Sequence, residues 1–185
     1  MTRLLRTIRL DPSDTFVFER AAEPGEWAVT GSFLFLGSDP GMLAPKVRTA
    51  FRSGFLGLAS LGFSTLAVVS EASAAELEGA VGSLARHFVE RFGAPGLDAA
   101  REVAREEIAY ASSLCGPPVN TILALRRALV DGEITEEVRI LQPRSPVLPG
   151  EDRLHLGARA FEFAAAEDEP AEHVDLPAFL DGTPR

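Results

Sequence analysis

The Asp131-Gly132 dipeptide, set between two runs of alternating apolar and polar residues, constrains this chain more than any other feature. Asp-Gly is the signature of a type I′ turn, in which both central residues take positive φ, and a two-residue loop fixes the register of the strands that it joins. Thr121 to Leu141 is therefore expected to form a β-hairpin. One face should pair Leu129 with Ile134, Arg127 with Glu136, Leu125 with Val138 and Leu123 with Ile140. The other should pair Arg126 with Glu137 and Ala124 with Arg139. The first face is the more apolar and is expected to meet the core, which puts an Arg127–Glu136 ion pair at the core margin.

Helix signals fill the middle of the chain. Ser73-Ala74-Ala75-Glu76 reads as a capping box, in which Ser73 and Glu76 satisfy backbone amides at a helix start. Leu77, Val81, Leu84, Phe88 and Phe92 then make one apolar stripe, stopped by Gly93 and Pro95. A further helix opens at Asp98 and carries Val103, Ile108, Ala111 and Leu114, with Gly116 as a left-handed cap before Pro117-Pro118. Leu43, Val47, Phe51 and Phe55 place another helix over residues 43–57, with Pro45 in its first turn and a flexible exit through Gly54, Gly57 and Gly62.

The remaining segments read as strands and linkers. Thr7–Leu10, Phe16–Glu19 and a longer strand from Trp27 to Leu36, with Gly31 as a bulge, suggest an N-terminal antiparallel meander. Phe63 to Glu71 is a buried strand. Pro143, Pro146 and Pro149 make a stiff linker, and Leu154 to Phe163 adds a last strand. The expected fold class is α+β: a mostly antiparallel sheet (N-terminal meander, inserted strand, C-terminal hairpin) with about three helices packed on one face. Residues 1–163 would form a single domain and 164–185 an acidic, proline-containing tail.

Charge and composition exclude several classes of function. The net charge is −9, and residues 150–185 contribute −6 of it through nine acids and three arginines. Such a chain lacks the cations that phosphate neutralisation needs, so no nucleic-acid partner is expected. No apolar run approaches the ~20 residues of a membrane span, and Arg6 and Arg9 interrupt the apolar start. A cytoplasmic protein with no membrane partner is the expectation. Twelve Phe against one Trp and one Tyr point to aromatic residues used for packing, and the mid-chain Phe content admits a homodimer.

Strong chemical motifs are missing: no phosphate-binding glycine loop, no dinucleotide fingerprint, no H-E-x-x-H and no C-x-x-C. Gly62-Phe63-Ser64-Thr65-Leu66 begins like a nucleophile elbow but has Leu in place of the closing Gly. Cys115, the only cysteine, falls at a helix C-terminus, where the dipole disfavours a thiolate; a buried small hydrophobe is the better reading. His87, His155 and His173 share no ligand spacing, so neither a metal site nor a cofactor is expected, and no catalytic residue is assigned. Arg126, Arg127, Arg52 and His87 are candidates for an anionic-ligand site if they converge, against a structural reading as cross-strand pairs. Val174, Leu176, Phe179 and Leu180, within the acidic tail, are candidates for docking a partner.

Three stretches carry a resemblance: Arg6-Thr7-Ile8-Arg9-Leu10-Asp11-Pro12-Ser13-Asp14, Phe51-Arg52-Ser53-Gly54-Phe55-Leu56-Gly57 and Ser112-Ser113-Leu114-Cys115-Gly116. Together they resemble an uncharacterised alphaproteobacterial family of unknown function, over about residues 3–145. The resemblance implies genes lying near a biotin/lipoate-ligase-like protein and near molybdenum-enzyme or formate-dehydrogenase genes, hence an accessory role. The expected function is a non-catalytic accessory or assembly protein acting through contacts with a protein partner. The alternative is a small-molecule binding protein, or an unrecognised enzyme, with a pocket between helices and sheet.

Overall fold

The computed structural model describes residues 2–142. Strand β1 (Thr2–Ile8) lies at the centre of a seven-stranded sheet with β2 (Trp27–Val29), β3 (Phe55–Gly57), β4 (Phe63–Ser64), β5 (Leu66–Ala72), β6 (Ile122–Val130) and β7 (Glu133–Leu141), in the order β4-β3-β2-β1-β5-β6-β7. Every neighbouring pair is antiparallel. The fold is α+β, as expected. The consecutive residues Leu4 and Leu5 are both fully buried. Successive side chains of a strand point to opposite faces, so the sheet is covered on both sides at its centre.

The short helix α1 (Asp14–Val17) precedes β2, α2 (Pro45–Ser53) precedes β3, and α3 (Ala74–Phe92) and α4 (Leu97–Ser113) connect β5 to β6. The capping box is present: Ser73 Oγ accepts from the Glu76 amide, and the Glu76 carboxylate accepts from the Ser73 amide at 2.9 Å. Gly93, at φ 70°, ends α3 in the left-handed conformation. Helices α3 and α4 pack on each other and on β1, giving one core with Leu84, Phe88, Ala104 and Ile108. A second cluster of Phe18, Phe35, Ala50 and Phe51 sits beside it, with the Phe35 and Phe51 rings edge to face at 5.4 Å.

Several local expectations give way, each for a stated reason. Phe16 to Phe18 is not a strand. Asp11 and Pro12 start a turn in which the Ser13 amide donates to Asp11 Oδ1 at 2.7 Å, and α1 follows, with Phe18 buried and Phe16 exposed. Gly31, at φ 74°, stops β2, and residues Ser32–Phe35 form a 3-10 turn instead of continuing the strand. The segment from Phe63 to Glu71 splits at Thr65, whose amide and hydroxyl both donate to the buried Asp14 carboxylate. Helix α2 stops at Ser53. Gly54 and Gly62 serve close packing and not flexibility: a Cβ on Gly62 would lie 2.5 Å from the Ala21 backbone, and one on Gly54 2.8 Å from Ala50 O.

Gly116 does not adopt positive φ. The oxygens past α4 are met from elsewhere: Arg3 donates to the carbonyls of Cys115, Gly116 and Pro117 at 3.4, 3.2 and 3.0 Å. Among the described residues no helix is long and apolar enough to cross a membrane. The Pro143–Pro149 linker, the Leu154–Phe163 strand, the boundary at residue 163, His155, His173 and the tail residues Val174, Leu176, Phe179 and Leu180 lie outside the described residues.

Candidate functional site

The hairpin of β6 and β7 has the register that its turn dictates, from Val130–Glu133 through Arg127–Glu136 and Arg126–Glu137 to Ile122–Leu141. Asp131 and Gly132 take φ 52° and 84°, as a type I′ turn requires. The hairpin is longer than its neighbour. β5 pairs only with Ile122, Leu123 and Ala124, so among the described residues β6 has no strand on that side beyond Ala124.

The direction of the unpaired groups follows from the turn. In a two-residue hairpin the residues flanking the turn exchange hydrogen bonds with each other, and such pairs alternate along the ladder. Val130, Ala128 and Arg126 therefore bond to β7, while the amides and carbonyls of Leu129 and Arg127 face the open side. That side is a groove of about 610 Å³ between the hairpin and α2, lined by Asp39, Phe51, Arg52, Arg126, Arg127 and Leu129 among others. Three of the four residues singled out for an anionic ligand thus meet at one groove. The fourth, His87, is elsewhere, on α3, with its Nε2 2.9 Å from Leu58 O.

Arg127 is not at the core margin. It is 2% exposed, and its guanidinium joins three segments. Nε donates to Glu136 Oε1 at 2.8 Å. One terminal nitrogen donates to Phe51 O at 2.6 Å and Ala50 O at 3.3 Å, and the other donates to Thr30 O. The side chain thereby satisfies carbonyls at the C-terminus of α2, where a cation is also favoured by the helix dipole. Burial pulls the Arg127 pKa down while Glu136 pushes it back up, so the pair is held by mutual charge in a dry setting. Arg127 forms the wall of the groove and has no donor to spare for a ligand.

On the other side of Leu129 and Asp39 lies a second cleft of about 750 Å³, with Leu36, Tyr110, Glu133 and Glu136 in its lining. Leu36 and Tyr110 are 72% and 42% exposed. Burial, then the Glu136 charge, pushes the Tyr110 phenol up to about 12, which removes it as an acid or base near neutrality. Burial and the neighbouring Glu136 and Glu106 also raise the Glu107 carboxyl. The hairpin end thus carries a basic groove and an acidic cleft, with Leu129 between them.

Neither candidate nucleophile is placed for chemistry. Ser64 is buried and donates to Ile8 O and Leu66 O at 3.1 and 2.8 Å, closing the gap between β4 and β5. Cys115 is 3% exposed, and burial pushes its thiol up to about 11 against a smaller pull from Arg3. Among the described residues no group of three His, Cys, Asp or Glu could hold a metal ion. The sequence offers no signal for Thr30 O or the α2 carbonyls as Arg127 neighbours, because these contacts join residues 76 to 97 positions apart and depend on where the α2 end and the exit of β2 come to lie.

A family model matches residues 1–150, described as a family of unknown function (DUF6505). The chain belongs to this family. The resemblance carried by residues 6–14, 51–57 and 112–116 is therefore borne out at the level of the family. Neither the curated proteins nor the solved structures contain a match.

Proposed function

We propose that this chain is a non-catalytic accessory protein that captures an extended, acidic segment of a partner polypeptide along the open side of β6. One observation carries the reading: pairing with β5 ends at Ala124, which leaves the backbone of Arg127 and Leu129 facing a groove flanked by Arg52 and Arg126. An extended peptide entering there gains main-chain hydrogen bonds, and its carboxylates gain charge-assisted ones. Sheet edges left open are otherwise an aggregation hazard, which supports a use for this one. The accessory role implied by the family resemblance makes subunits of a molybdenum-enzyme or formate-dehydrogenase system the first partners to try.

The test uses the full-length, 15N-labelled chain and an extended nonapeptide of alternating valine and glutamate. Shifts at the Arg127 and Leu129 amides, lost with Arg52→Glu and weakened by salt, are expected. Equal binding of a valine–lysine peptide, or shifts only outside the groove, would refute the proposal. The tail version, in which Val174, Leu176, Phe179 and Leu180 dock the partner, has its own check: deleting residues 164–185 should then abolish binding to the native partner. Retained binding removes it.

A further inference from the structure

We infer that a separate cleft, enclosed by α2, the end of α3 and the segment after α1, is a binding site for an organic carboxylate with a hydrocarbon body. The cleft measures about 570 Å³, within the size range of small-molecule sites. Its walls are apolar: Leu34, Phe35, Val47, Ala50, Phe63 and Phe92, with Leu61 from the loop before β4. Its remaining lining is charged and unbalanced, with Arg20, Lys46 and Arg91 against Glu19 alone, on a chain whose net charge is −9.

These cations are not all explained by the fold. Arg91 stands in the last turn of α3, where a cation suits the helix dipole. Lys46 stands in the first turn of α2, where the same dipole disfavours it, and it is the only lysine of the chain. Among the described residues neither side chain makes an ion pair or a hydrogen bond, and Arg20 uses one nitrogen, on Ser60 O at 3.1 Å. Leu61 reaches the cleft from the tight turn between β3 and β4, where its positive φ of 53° and the bond from its amide to Gly57 O at 3.1 Å fix its position. An apolar cavity with exposed cations contributed by each of its three walls is complementary to a molecule with an apolar body and an anionic end. A sugar phosphate would leave the phenylalanine walls unused.

The experiment is a titration of the full-length protein with decanoate, followed by calorimetry and by 15N shifts, with decanol as the neutral control. Saturable decanoate binding is expected, with shifts at Leu34, Val47, Leu61 and Phe92. The double variant Lys46→Gln/Arg91→Gln should weaken decanoate by tenfold or more and leave decanol unchanged. Decanoate and decanol binding alike, or shifts confined to the hairpin end, would overturn the inference. So would a wild-type dimer in sedimentation that Phe92→Asp converts to monomer without any decanoate binding, because the cleft would then hold a second copy. A failure here leaves the hairpin groove untouched, since no residue is shared between the two.

Discussion

Arg127 ties α2, the exit of β2 and strand β7 together through one guanidinium, and Arg127→Met removes that tie while keeping an apolar chain of similar reach. The variant would leave the Glu136 carboxylate, whose side chain is 6% exposed, without its cation. It would also leave Phe51 O and Thr30 O without their donor. Breaking a buried pair from one side costs about 3–5 kcal/mol. The hydrogen bonds give a consistent scale: three good charge-assisted bonds at about 1.5–3 kcal/mol each exceed that range, and methionine packing and water entry recover part. Against a typical total of about 5–15 kcal/mol this is a large fraction. At about 2–4 °C per kcal/mol, Tm should fall by roughly 6–20 °C. Urea unfolding followed by circular dichroism measures the loss of stability, and thermal unfolding measures the fall in Tm. The double variant Arg127→Met/Glu136→Leu should be less destabilised than the sum of the two single changes, because no lone charge remains. A loss below about 1 kcal/mol for Arg127→Met, or strict additivity in the double variant, would refute the reasoning.

Two further predictions concern packing and pH. Gly62→Ala should lose about 1–3 kcal/mol, because its Cβ meets backbone atoms of Ala21 and Ala22 at 2.5–2.6 Å, whereas Gly79→Ala, in open space on α3, should gain up to about 1 kcal/mol; thermal unfolding of both variants checks the contrast. Glu107→Gln should stabilise the protein at pH 7. The folded carboxyl titrates above its ordinary value of 4.5, so its contribution is full below that value and is lost as pH rises through the folded pKa. The difference in Tm between variant and wild type should therefore close in acid, and a gap that widens there would contradict it.

What could be read in advance was whatever local chemistry determines. Asp131-Gly132 sets two φ values, and nine cross-strand pairs follow from them without tertiary information. Ser73 and Glu76 likewise define the start of α3 from four residues. Reading failed where local alternatives were close in energy and distant contacts decided. Phe16 to Phe18 has strand-forming residues, yet Asp14 is drawn to Thr65, 51 positions away, and the turn at Pro12 wins. Phe33 to Leu36 is apolar enough for a strand, but Gly31 diverts it, and Phe35 goes to a cluster with Phe51. The site was half legible. The pairing of Arg126 and Arg127 was readable; their meeting with Arg52 at a groove depends on where α2 docks.

Hydrogen exchange at the hairpin end of the full-length chain, with and without the partner, tests the central claim most directly. In the free protein the amides of Arg126 and Ala128 should be protected by β7, and those of Arg127 and Leu129 should exchange much faster. Adding the partner, or the acidic nonapeptide in its place, should protect Arg127 and Leu129 selectively. Equal protection of all four amides in the free chain would contradict the account, because the side of β6 that it leaves open would already be paired.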